Sequence, residues 1–183
     1  MDKLDIVTDE SGNEVVLLPE IIFSNKQNIN WNDVEDYLGK YVGELIEIAE
    51  TRDIIYIGNN FPDEYGGSSY TRKTKGARAK AKANAAQGIR EMVEIATDKV
   101  YRENHKEKHS EDVHNGWYYY VTRFAIPLYN NEKKTGEYNV YSACLVVNHA
   151  ANGKMYLYDV VGIKKKRVTH SRLSSSQVVQ NRF

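Results

Sequence analysis

Cysteine is nearly absent: Cys144 is the single one in 183 residues. One thiol cannot close an intramolecular disulfide, and without a Cys/His cluster the chain lacks a zinc signature. Neither a metal nor a cofactor is expected. Proline occurs three times and phenylalanine four times, against fourteen tyrosines. No stretch nears the roughly 18 apolar residues of a membrane span. The opening "MDKLDIVTDE" is acidic and has no apolar run, so it does not read as a signal peptide. The expectation is a cytoplasmic protein that meets no membrane.

Net charge is also absent, but the zero conceals a segregation. Residues 1–64 hold 15 of the 25 Asp and Glu and 4 of the 25 Lys and Arg, a net of −11. The remaining 10 acids and 21 bases give residues 65–183 a net of +11. A basic surface with an acidic partner such as nucleic acid fits this pattern, as does an acidic segment folded over that surface.

Residues 1–30 are weakly patterned and read as an N-terminal extension, with "EVVLLPEIIF" a short strand or edge segment broken by Pro19. From Asn30 or Asn32, a capped helix is predicted, with Val34, Tyr37, Leu38, Tyr41, Leu45 and Ile48 as its buried stripe. Gly39 and Gly43 weaken its middle. A short buried strand follows at Asp53–Ile57, then a loop, "FPDEYGGSSYTRKTKG". "KGARAKAKANAAQGIREMVEIATDKVY" is the strongest helix signal, because Ala dominates it. Its N-terminus gathers Arg72, Lys73, Lys75, Arg78, Lys80 and Lys82. Cations there oppose the helix dipole, so a partner anion would make sense of them. Arg72, Lys73, Lys75, Arg78 and Lys82 are the candidate nucleic-acid contacts.

Three segments of strand composition follow "YRENHKEKHSEDVHNG": Trp117–Ile126, "YNVYSACLVVNH" and "KMYLYDVVGI". They read as an antiparallel meander, joined by the strand near Ile55 into four strands. In the first, alternation puts Tyr118, Tyr120, Thr122, Phe124 and Ile126 on one face and Trp117, Tyr119, Val121, Arg123 and Ala125 on the other. The Ala-rich helix is expected to cover one face, leaving an aromatic floor that carries Arg123 and His149. Asp159 falls on an apolar side and needs a cation, for which Arg123 is available. The fold class is thus α+β, N-terminal helices followed by a mostly antiparallel four-stranded sheet. One domain spans 31–166, and a polar tail, expected to be mobile, spans 167–183.

The stretches "NFPDEYGGSSY", "AKANAAQGIREMVEIA", "GWYYYVTRFAIP" and "GKMYLYDVVGIKKK" resemble small domains attached to the large polyvalent proteins of Firmicute phages and integrative elements. The resemblance covers roughly residues 30–166. Some such domains are assigned to the barnase–EndoU–colicin–RelE-like nuclease fold, one or two helices followed by a four-stranded antiparallel sheet. That fold implies metal-independent RNA cleavage: the 2′-hydroxyl attacks the adjacent phosphate, a base and an acid assist, and a cation stabilises the phosphorane. On this reading His149 and His109 (with His105 and His114) supply base or acid. Arg123 holds the phosphate with Lys75 or Arg78, and Tyr120 or Tyr158 stacks a base or donates a proton. The expected function is a phage- or mobile-element-encoded ribonuclease-like toxin acting in the host bacterial cytoplasm. The alternatives are an anti-defence protein, such as an anti-CRISPR, that engages a host nucleic-acid-handling complex through its acidic segment, and a nucleic-acid-binding module built on the basic helix and the aromatic floor.

Overall fold

The computed structural model describes residues 2–24, 28–103 and 115–166, together with the backbone of 172–174. Two short strands, β1 (Ile6–Thr8) and β2 (Glu14–Leu17), form a hairpin at once. Asp9 closes it by accepting the backbone N–H groups of Ser11 and Asn13, each at 2.9 Å. Helix α1 (Trp31–Leu38) starts where the Asn30 side chain accepts from Asn32 N at 3.1 Å. It continues as one 3₁₀ turn to Tyr41 and stops. Gly43, at φ +93°, then reverses the chain, a conformation L side chains resist. The predicted helical stripe therefore ends at Tyr41: Leu45 and Ile48 lie beyond it, Leu45 in strand β3 (Leu45–Glu47), 60% exposed, and Ile48 just after it.

Strand β4 (Ile54–Tyr56) comes next, close to its predicted bounds. The expected loop after it holds two short helices, α2 (Phe61–Gly67), with Pro62 in its first turn, and α3 (Ser69–Lys73), capped by Ser68. The Ala-rich segment is a helix in two pieces, α4 (Gly76–Ala85) and α5 (Ile89–Glu94), separated by a 3₁₀ turn at Ala86–Gly88. The predicted continuation of that helix through Tyr101 is instead strand β5 (Thr97–Arg102). Asp98, at φ +58°, lies in this segment, and Val100 and Tyr101 suit an extended backbone. Long strands β6 (Trp117–Asn130) and β7 (Lys133–His149) meet at a two-residue turn, Asn131 and Glu132, both at positive φ. The expected long loop is thus mostly strand. Strand β8 (Met155–Lys165) and the short β9 (Arg172–Ser174) complete the described elements.

The nine described strands form one mixed sheet, in the order β1-β2-β6-β7-β8-β4-β3, with β5 also on β6 and β9 also on β7. The expected architecture, N-terminal helices before a four-stranded antiparallel meander, is overturned by this topology. The β6-β7-β8 meander is present, but β2 joins β6 in parallel (Val16↔Phe124) and β4 joins β8 in parallel (Ile55↔Met155). Residues expected in an N-terminal extension thereby become part of the sheet. The parallel joins lie between segments so far apart in the chain that no local pattern foretells them.

Helix α5 contacts both β2 and β3. Those strands stand five places apart, about 24 Å in a flat sheet, so the sheet must curl around the helix. Its inner face carries the main core: Tyr120, Phe124, Leu145, Val147, Leu157 and Val160 pack against Ala81, Ala85, Ile89 and Met92. Thr122 donates to Met92 O at 2.7 Å, which fixes the predicted Tyr118–Ile126 face as the one under the helix. A second, smaller cluster (Val7, Val15, Leu17, Ala125 and Val140) lies on the opposite side of the sheet. Among the described residues no helix is long and apolar enough to cross a membrane.

Candidate nucleic-acid interface

The outer face is set by β6 alternation: Trp117, Tyr119, Val121 and Arg123 point away from the helices and are half-buried. Across the sheet, Arg123 pairs with Ser142, and Ser142 pairs with Lys164. Two cations thus flank one hydroxyl in a single row, roughly 10 Å apart at the backbone. Toward the other end, the Arg102 guanidinium lies 5.2 Å from the Tyr119 ring centroid. Trp117 meets Tyr158 edge to face at 5.1 Å, and Tyr56 meets Tyr156 at 5.6 Å. The Lys154 ammonium is 4.9 Å from the Tyr56 ring. Cys144 lies between these ends, and burial pushes its thiol up, away from thiolate chemistry.

Over Trp117–Ala125, Val140–Asn148 and Tyr156–Lys165 the sequence has one carboxylate, Asp159, and the fold turns it inward. A bulge between Val146 and Val147 breaks the alternation of β8, so Asp159 and Val160 both face the helices. Asp159 Oδ1 accepts from Val160 N at 2.8 Å and from Lys82 Nζ at 2.5 Å. Lys82, expected among the phosphate contacts, is 0% exposed, with its ammonium 4.5 Å from the Tyr65 ring and 5.0 Å from the Tyr70 ring. Its buried place follows from the curl, which leaves α4 no solvent side beyond Lys80. Burial pulls Lys82 below and Asp159 above their ordinary values, while each partner's charge works the other way. The expected Arg123–Asp159 pair does not form.

The other four basic candidates, Arg72, Lys73, Lys75 and Arg78, are exposed. No acidic residue of the first 64 pairs with them among the described residues. Four of those acids, Glu47, Glu44, Asp53 and Asp9, meet Arg52, Arg90, Lys99 and Lys166. The Tyr70 hydroxyl accepts from Ile163 N at 2.9 Å, which docks α3 beside the end of β8. Exposed Lys164 and Lys165 follow directly, so α3 on the inner side approaches the end of β8 at which the outer Arg123–Lys164 row stops.

His149 and Tyr120 share the inner face at the opposite end of β8. The His149 ring lies 5.7 Å from Tyr118, and Lys99 lies 4.5 Å from the same ring. Tyr120 donates to Asp53 Oδ2 at 2.7 Å, and that oxygen also receives Thr51 at 2.7 Å and Lys99 at 2.8 Å. Burial would raise Asp53, but these donors outweigh it and hold the carboxyl below its ordinary value. Burial and the Asp53 bond push the Tyr120 phenol far up. His149 and Tyr120 are therefore brought to one end, and Arg123 to the other face of the same sheet. His109, with His105 and His114, lies outside the described residues. A cleft of about 210 Å³ sits elsewhere, lined by Tyr37, Lys40, Tyr41, Arg90 and Glu91, and it holds none of the candidates.

Arg102, Lys99 and Lys164 escaped the sequence reading of the site. Alternation in "TDKVYR" places Arg102 opposite Tyr101, but the Ala-rich helix signal upstream obscured that strand. No family model matches the chain, and neither does any curated protein or solved structure.

Proposed function

We propose that the protein binds nucleic acid through a positive surface that wraps the Lys164–Lys165 end of β8, from Arg72, Lys73, Lys75 and Arg78 beside α3 and α4 on the inner side to Arg123 on the outer face. The observation that carries this reading is the pairing row Arg123–Ser142–Lys164 on an outer face that, over Trp117–Ala125, Val140–Asn148 and Tyr156–Lys165, loses its single carboxylate to the interior. Cations left without carboxylate partners favour a polyanion, and phosphates supply one.

The ribonuclease chemistry implied by the resemblance needs a base, an acid and a cation within hydrogen-bond reach of one phosphate. Arg123 and His149 stand on opposite faces, and the Tyr120 hydroxyl is engaged by Asp53. Binding rather than cleavage is the reading this arrangement favours. A host-defence partner that recognises the acidic segment would need a broad exposed acidic stripe. Asp33, Asp36 and Asp63 are exposed around Glu35, whose carboxyl is raised by burial and then by Asp63 and Asp36. Four of the other acids, Asp9, Glu44, Glu47 and Asp53, are held in ion pairs.

The test is the salt dependence of binding to a labelled oligonucleotide. Lys75→Glu with Arg78→Glu should weaken binding at every sequence and flatten the slope of log K against log salt by about 0.7–0.9 per lost phosphate contact. An unchanged slope in the folded variant would remove these residues from the interface. RNA incubated with the protein in EDTA should stay intact; cleavage that Arg123→Ala and His149→Ala abolish would restore the nuclease reading.

A further inference from the structure

We infer that the outer sheet face is a stacking platform and that its ligand is a single strand, not a duplex. This deepens the nucleic-acid reading above and rests on it. No described helix lies on this face between Arg123 and Trp117, whereas α4 and α5 lie against the other side of the sheet. The side chains on the outer face include half-buried tyrosines: Tyr119 on β6, Tyr156 on β8 and Tyr56 on β4. A tyrosine half out of a sheet keeps a π-face for a flat partner while its edge packs on its neighbours.

The cations are distributed as a strand would require. Arg102 lies over Tyr119 and Lys154 over Tyr56, so two of the rings already hold a positive group at their faces or rims. Arg123 and Lys164 close the other end of the face. A base stacked on Tyr119 or Tyr156 would therefore have its phosphates between positive groups on both sides. Bases inside a duplex already stack on one another and cannot present their faces to the rings. Unpaired bases can, and stacking of this kind tolerates any sequence because every base has a π-face. The twist and curl of the sheet make the face convex, which suits a flexible strand that follows it better than a rigid duplex.

The experiment measures anisotropy of labelled oligo-uridylate, oligo-thymidylate and a mixed-sequence duplex of equal length, at several salt concentrations. The single strands should bind at least tenfold tighter than the duplex. Tyr119→Leu and Tyr156→Leu keep the apolar contact and remove the ring. Each should weaken single-strand binding by about 5- to 100-fold and leave the salt slope unchanged, whereas Tyr119→Phe and Tyr156→Phe should retain affinity. Equal affinity for strand and duplex, with the leucine variants folded by circular dichroism and unaffected, overturns the platform while leaving the charged surface standing. Salt-independent or undetectable binding of all three probes overturns both. The uridylate and thymidylate arms compare RNA with DNA, and oligo-deoxyuridylate separates the sugar from the thymine methyl.

Discussion

Lys82 Nζ lies 2.5 Å from Asp159 Oδ1, and neither side chain reaches solvent, at 0% and 2% exposure. The pair bolts α4 to β8 across the inner face. It also keeps the one carboxylate of Trp117–Ala125, Val140–Asn148 and Tyr156–Lys165 off the outer face. Tyr65 adds a hydrogen bond from its hydroxyl to the Lys82 carbonyl, so the junction is held by side chain and backbone together.

Breaking one side of this pair should be far worse than removing both. Lys82→Met leaves a buried carboxylate and should cost about 3–5 kcal/mol. Lys82→Met with Asp159→Leu should recover most of that loss, because desolvation outweighs attraction for both groups. Urea denaturation measures it; a double variant as unstable as the single one would refute the account.

Acid stability should trace to Asp53. Its folded pKa lies below the ordinary 3.8. Between the folded and unfolded values the unfolded chain binds more protons, so stability is present above 3.8 and falls as pH descends through the folded value. Asp53→Asn should cost about 1–3 kcal/mol at neutral pH and flatten that acid limb. Melting curves between pH 6 and 2 compare the two; parallel limbs would exclude Asp53 as the source.

Gly162 has φ +59° beside Cys144, at the second irregularity of the β7–β8 ladder. Gly162→Ala should cost about 1–2 kcal/mol through left-handed strain. Because this kink aims Lys164 outward, nucleic-acid affinity should fall with it. Thermal unfolding and binding are read on the same sample, and a fully stable variant would deny the strain.

Asn84 is wholly buried and pins the segment after β2: its Oδ1 accepts Ile22 N at 2.9 Å and Phe23 N at 3.1 Å, and its Nδ2 donates to Phe23 O at 2.9 Å. Asn84→Ala should cost about 2–3 kcal/mol and speed hydrogen exchange at Ile22 and Phe23 while sparing β6. Uniform acceleration across the sheet would mean a global effect instead.

Alternation in Trp117–Ile126 was legible because a strand's two faces follow from its period alone, and the structure keeps both lists of side chains intact. The same rule failed at Val160, where the bulge repeats an inward position, and bulges leave little trace in composition. Helical periodicity from Val34 to Tyr41 held, but Leu45 and Ile48 matched the helical spacing by coincidence beyond Gly43. Lys82 looked like its neighbours Arg78 and Lys80, since nothing local distinguishes a lysine inside a curled sheet from one on a solvent face. Alternation alone separates Arg123 from Tyr120, but it cannot place His149, whose face depends on the register between β6 and β7.

The parallel joins of β2 to β6 and of β4 to β8 tie residues roughly a hundred positions apart. On the ribosome, β2 and β4 emerge long before the strands they lie beside. Until β6 and β8 are made, β2 has only β1 beside it and β4 only β3, so the second edge of each stays open. Such long-range closure slows folding. During that interval the newborn first third cannot bury Val15, Val16 and Ile55 as the finished sheet does.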